Sequence, residues 1–237
     1  MSADAFVPTP RSKVKRRPMY ASYDRDSVYR LLDAGLVCHI AYVIDGQPFV
    51  TPTAYWRSAD RIFWHGSAAS RMLRSQAGGI PVCLTVTHVD ALVVARSAFH
   101  HSINYRSVMA FGRAAAITDA AAKEAALHAL IERLYPGRWP SLRPVLAQEL
   151  AATMVMSMRI EEAAAKARSG AREDEAGDYA WPLWAGVLPL ETRVGRIEPD
   201  ARLMPGVPLP PEVARYAVGG RLDAILSDLA RENPAAR

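Results

Sequence analysis

The stretch from Leu36 to Trp64 reads LVCHIAYVIDGQPFVTPTAYWRSADRIFW and holds three β-rich runs divided by two turn signals. Residues 36–44 are almost continuously apolar. Asp45-Gly46 follows, a pair suited to a two-residue hairpin whose central positions both take positive φ. The returning run, residues 47–56, contains Pro48 and Pro52. Each proline removes a ladder donor, so this strand suits an edge, a bulge, or a place where something other than a strand lies alongside. Ser58-Ala59-Asp60 then turns into a third run, residues 61–64.

Outward from this stretch the pattern repeats. Upstream, Asp26 caps a short helix with Val28, Leu31 and Leu32 on one face, and Gly35 is placed to end it in the left-handed conformation. Downstream, His65-Gly66 closes the third strand, residues 67–76 read as a short helix, and Gly78-Gly79 breaks it. Residues 80–89 and 91–95 are two β-rich runs joined at Asp90. A polar, histidine-containing loop over residues 96–104 leads to a long strand at 105–117. About six strands joined mainly by hairpins predict an antiparallel sheet closed into a barrel, not alternating βαβ units. The second half opens on a helix capped by Asp119, with Leu127, Leu130, Ile131 and Leu134 at helical spacing. Pro136-Gly137 stops it. A second helix at 144–152 and a strand at 153–160 follow, then a polar, Gly-containing loop at 168–178. The Pro-rich tail offers Trp181, Trp184, Val187, Leu188 and Leu190 for docking on the barrel.

The chain has 237 residues, half of them hydrophobic and 22% charged, which excludes wholesale disorder. No stretch reaches the ~18–20 apolar residues of a membrane span. With no export signal either, the chain reads as cytoplasmic, and its two cysteines, Cys38 and Cys83, as buried free thiols. Much of the +5 net charge sits in Arg11, Lys13, Lys15, Arg16 and Arg17. That segment reads as a flexible, solvated arm and not as a nucleic-acid surface. The domain plan is therefore an arm over 1–18, a barrel over 19–165, and a loop with a C-terminal extension over 166–237.

The segment richest in chemistry is Trp64-His65-Gly66-Ser67-Ala68-Ala69-Ser70-Arg71-Met72. Two serines flank a helix start that carries an arginine. Hydroxyl donors and a planar cation are what a phosphate monoester requires, although Ser67 is equally an ordinary helix cap. His100 and His101 are adjacent, so on a strand they point apart; no metal site is expected. Nucleophile-elbow, Walker and dinucleotide-binding motifs are all missing. Without self-contained hydrolytic machinery, a cofactor is the expected source of chemistry.

At these residues the chain resembles the FMN-binding split-barrel superfamily, the pyridoxamine 5′-phosphate oxidase-like proteins, and within it the nitroimidazole-resistance (Nim)-like flavin-nucleotide-binding group. The resemblance spans residues 16–160. It rests on Val37-Cys38-His39-Ile40-Ala41, Pro52-Thr53-Ala54-Tyr55-Trp56, His65 to Met72, Asn104-Tyr105-Arg106-Ser107-Val108 and Phe111-Gly112-Arg113. It implies a mainly β fold: a six-stranded antiparallel split barrel with flanking helices and an extended C-terminal segment. It also implies a homodimer with flavin at the subunit interface, FMN ahead of FAD, haem or a deazaflavin. Ser67, Ser70 and Arg71 would hold the phosphate, with Met72 standing where the oxidases have a lysine. Thr51, Pro52, Thr53 and Trp56 would line the ring. Trp64 and His65 would lie near the ribityl chain, and Asn104, Arg106 and Ser107 would reach across from the second subunit. His65 is the candidate proton donor. The oxidases' substrate-holding arginine/histidine motif has no counterpart in residues 209–237, which disfavours vitamin B6 oxidation. The implied activity is a flavin-dependent oxidoreductase acting on a small organic, including nitro-aromatic, substrate; the alternatives are a non-catalytic flavin carrier or sensor, or a haem- or deazaflavin-binding barrel.

Overall fold

The computed structural model describes residues 4–171 and 174–233. In chain order its elements are β1 (Ala21–Ser22), α1 (Arg25–Asp33), β2 (Val37–Ile44), β3 (Gln47–Ser58), β4 (Arg61–Ser67), α2 (Arg71–Gln76), β5 (Gly78–Val94) and β6 (Ser102–Ala116). There follow α3 (Ala120–Leu134), α4 (Ala147–Ala152), β7 (Thr153–Arg159), β8 (Glu162–Arg168), β9 (Gly186–Pro189), α5 (Pro211–Ala214) and α6 (Leu222–Glu232). Strands β6, β7, β4, β3, β2 and β5 form a closed ring, because β5 also pairs with β6. All these pairings are antiparallel.

The ring follows from local chemistry. Asp45 and Gly46 both take positive φ, 50° and 77°, as the two-residue turn requires, and this sets Tyr42 opposite Phe49. The split lies at β6, whose outer edge pairs first with β8 and then with β7. At the changeover sits Gly112, where any Cβ would collide with the Arg159 carbonyl oxygen. Alternate residues of the ring, among them Ile40, Ile62, Trp64, Leu84, Val108 and Met158, fill one core. A second, smaller core lies outside the ring, where α3 covers Trp56, Phe63 and Val155.

Several expectations need correction. Asp24, not Asp26, caps α1, its carboxylate accepting from the Ser27 N–H at 2.8 Å. Gly35 is not left-handed; it is needed because a Cβ there would lie 2.8 Å from the Tyr55 hydroxyl. The runs on either side of Asp90 are one 17-residue strand with a register shift at that point. The chain past residue 165 still belongs to the sheet: β8, EAAAKAR, pairs along β6 although its alanines carry little β preference. The arm, from residue 4 onward, is held in place. Phe6 is buried, its N–H donates to the Tyr23 carbonyl at 2.8 Å, and Thr9 and Arg11 both bind the Glu162 carboxylate.

Buried polar clamps fix the helices. Arg57 pairs with Asp33 through two nitrogens. Arg133 of α3 donates to the carbonyls of Tyr55, Asp33 and Gly35 at 2.8–3.0 Å, satisfying acceptors freed where α1 ends. The C-terminal extension adds β9 to the edge of β5 and lays α6 against α1 and α3. No helix among the described residues is long and apolar enough to cross a membrane.

Candidate functional site at the barrel mouth

The β2–β3 hairpin places Tyr42 and Phe49 side by side, with ring centroids 5.6 Å apart in a stacked arrangement. The Tyr42 hydroxyl lies 3.0 Å from Thr51 Oγ1. The Arg71 guanidinium sits over the far ring, 4.7 Å from the Phe49 centroid. Among the described residues no carboxylate pairs with Arg71, so its charge stays uncompensated. Ser70 caps α2 by accepting from the Leu73 N–H, and Ser67 Oγ accepts from the Ala69 N–H at 3.2 Å. Either hydroxyl still has its proton to donate. Thr51, Ser67, Ser70 and Arg71 thus belong to one corner of the molecule, built from the hairpin and the β4–α2 turn.

Trp64 supports this corner from behind. It has no exposed surface, and its Nε1 donates to Gln76 Oε1 at 3.2 Å, tying the end of α2 to the ring. Met72 is buried under the same helix. The expected direct contact of Trp56 and Trp64 with a ligand is therefore corrected: both are 0% exposed, because their large rings fill the two cores. Their part is to position what surrounds them. Phe49 and Tyr42 belong to this candidate corner and were not among the residues expected there, although the two-residue turn already fixed their pairing.

Pro52 lies on the opposite side of β3 from Thr51 and Thr53, as strand alternation demands. There it joins His39 and Thr85, with His39 opposed to both. Around them Val37, Val43 and Val50 are 52%, 57% and 64% exposed, an apolar outer wall. Ser107 lines a cavity of about 400 Å³ beside it, with Lys13, Thr85, Thr87, Met109 and Lys166. Arg106, its strand neighbour, points away. Its Nε and Nη2 grip Asp90 at 2.7–3.1 Å and Nη2 also reaches Asp223 at 3.1 Å. The bond to Asp90 leads the causes that raise the Arg106 pKa. Asn104 is likewise engaged, donating to the Gly170 carbonyl at 3.0 Å and accepting from Arg168.

His65 stands apart from the mouth, on the face of β4 shared with Phe63 and Trp56. Its ring centroid is 5.8 Å from that of Trp56. Its Nδ1 is buried without a hydrogen-bond partner, as is Trp56 Nε1. Burial lowers the His65 pKa below its ordinary 6.5, which keeps the imidazole neutral at pH 7. Burial acts the other way on Cys38, pushing its thiol up to about 12, and also raises Cys83. Neither is a ready nucleophile.

The comparisons agree with this architecture. The family described as pyridoxamine 5′-phosphate oxidase matches residues 24–167. Two solved structures are similar over nearly the whole chain. The flavocytochrome Anf3 from Azotobacter vinelandii is 44% identical over 90% of this chain and 100% of its own, with a TM-score of 0.84. The FAD and heme binding protein from Mycobacterium smegmatis is 37% identical over 86% of this chain and 98% of its own, with a TM-score of 0.80. No curated protein matches. The chain belongs to the pyridoxamine 5′-phosphate oxidase-like family of flavin-binding split barrels.

Proposed function

We propose that this protein is a flavin-dependent oxidoreductase with haem as a second cofactor, built as a homodimer. The observation that carries the flavin is Arg71: a guanidinium held on an aromatic ring, free of any described carboxylate, on the same turn as the hydroxyls of Ser67 and Ser70. That set fits the phosphate shared by FMN and FAD. The relative that binds FAD and heme favours FAD over the FMN expected from the sequence. The exposed wall of Val37, Val43, Val50 and Pro52 suits a second copy of the chain, which would bring its own Ser107 and lysines to the flavin.

The haem reading rests on His65. A neutral imidazole in a half-buried, apolar setting meets the requirement for an iron ligand. A bound flavin supplies hydride or electron transfer and a haem supplies one-electron transfer. The chain's own part is to grip the phosphate with Arg71, Ser67 and Ser70, to keep His65 unprotonated, and to exclude water with Trp56 and α3. The reducible partner is a small molecule.

The absorption spectrum of the purified protein tests both halves. Flavin bands and a Soret band are expected together, with chromatography of the released flavin separating FMN from FAD. His65→Ala is expected to remove the Soret band and spare the flavin. A colourless protein would overturn the reading; bound cofactors without turnover of any nicotinamide donor or nitro-aromatic acceptor would leave a carrier or sensor instead.

A further inference from the structure

We propose that His100, Asp174 and Asp178 form a site for one divalent first-row transition cation, which staples the segment after β8 to the loop between β5 and β6. This site is separate from the flavin and haem assignments. His100 ends the one-turn helix Ala98–His100 and is only 6% exposed. Its Nδ1 is buried and makes no hydrogen bond. It is aimed at Asp174 Oδ1, 3.6 Å away, and at Asp178 Oδ2, 3.8 Å away. Both gaps exceed the ~2.7–3.2 Å of an N–H···O hydrogen bond. Ligand atoms around a tetrahedral metal with bonds of ~2.0–2.2 Å stand roughly 3.3–3.6 Å from each other. All three atoms lie within 4.8 Å of one another. The two gaps, 3.6 and 3.8 Å, are too long for a shared proton and come within a few tenths of an ångström of that metal-ligand spacing.

The surroundings agree. Arg96 Nη1 holds Asp174 Oδ2 at 3.0 Å, and the Arg96 backbone N–H lies 3.4 Å from both carboxylate oxygens. Fixing Oδ2 turns Oδ1 toward His100, the orienting role outer groups play at metal sites. The other imidazole nitrogen, Nε2, lies 3.9 Å from Oε1 of the exposed Glu175, beyond hydrogen-bond range. The charges balance: Arg96 and a divalent ion offset Asp174, Asp178 and Glu175. In the same turn Ser97 Oγ and Arg96 Nε are also buried without partners. One imidazole with two carboxylates selects Mn²⁺, Fe²⁺, Co²⁺ or Zn²⁺ over soft Cu(I) and over Ca²⁺. Water fills the remaining positions.

The test uses the protein as purified, cofactors in place, after chelation and dialysis against Zn²⁺ or Mn²⁺. Bound metal is measured by mass spectrometry and Tm in parallel. One ion per chain and a raised Tm are expected. Asp178→Asn should weaken binding at least ~10-fold, the range for losing a group that serves the metal. His100→Ala should abolish binding, while His101→Ala on the exposed neighbour should retain it. Asp178→Asn leaves the buried His100 in place, so it reports even where His100→Ala fails to fold. Unchanged metal affinity in Asp178→Asn, or no metal retained by the wild type, would overturn the proposal. So would a Tm that chelation and metal addition leave unchanged.

Discussion

Arg71 and Arg106 come from the two segments in which the sequence most resembles flavin-binding proteins, yet the fold treats their charges differently. Arg71 lies on Phe49 with no described acid beside it, whereas Arg106 is held by Asp90 on β5 and by Asp223 at the start of α6. A guanidinium already engaged by two carboxylates has little left for an incoming phosphate. It serves instead to fasten the C-terminal helix to the ring. The lesson is that an arginine's role depends on whether distant parts of the chain return an acid to it, and the segment holding Asp223 returns long after Arg106 has been laid down.

Substitutions can break that contrast. Arg71→Ala should raise the flavin Kd by roughly 10–100-fold, the worth of one or two charge-assisted hydrogen bonds, with the Tm of the cofactor-free protein unchanged. Flavin fluorescence quenching measures this. Arg106→Ala should do the reverse: a stability loss of about 1–2 kcal/mol in urea unfolding, since the network is partly exposed, and less than roughly threefold in Kd. Equal Kd losses in the two variants would dissolve the distinction. Phe49→Leu removes the platform beneath Arg71 but keeps its charge. It should cost about 0.5–1 kcal/mol, a few-fold in Kd.

The smallest expected effect concerns His65, whose charge state is set by burial alone. Its folded pKa is lowered below 6.5, so just under that pH the unfolded chain binds more protons than the folded one. Its stabilising contribution is therefore complete above about pH 6.5 and lost as the pH falls through the folded value. Urea unfolding of the cofactor-free wild type and His65→Gln, followed from pH 7.5 to 5, should show the wild type losing more stability on acidification. Parallel curves would place the imidazole in contact with water.

Much of the ring was readable from local signals. The Asp45-Gly46 turn and the Asp119 cap are short-range chemistry and stand where the pattern put them, while the strand runs match in order but not in every boundary: β5 runs unbroken past Asp90 and β4 extends to Ser67. β8 escaped notice because alanines pair in a strand only when a neighbouring edge requires it, and that edge belongs to β6. Of the candidate site, Ser67, Ser70 and Arg71 were legible as one contiguous motif. Phe49 was not, since its contact with Arg71 crosses two strands and a turn. The resemblance implies ligand contacts for Trp56 and Trp64, but large aromatics suit a cofactor and a core alike, and composition alone does not separate the two.

The order of residues determined the hairpins, the strand alternation and the serine/arginine turn, because these depend on bonds and dihedrals within a few residues. It determined the family for the same reason, through ordered local motifs. Only the tertiary structure decided which arginine has its charge paired with carboxylates, which histidine loses its water, and that Asp174 and Asp178 face His100. Charge compensation and desolvation act through space, and the groups that supply them are brought together by the chain's return, not by its sequence of neighbours.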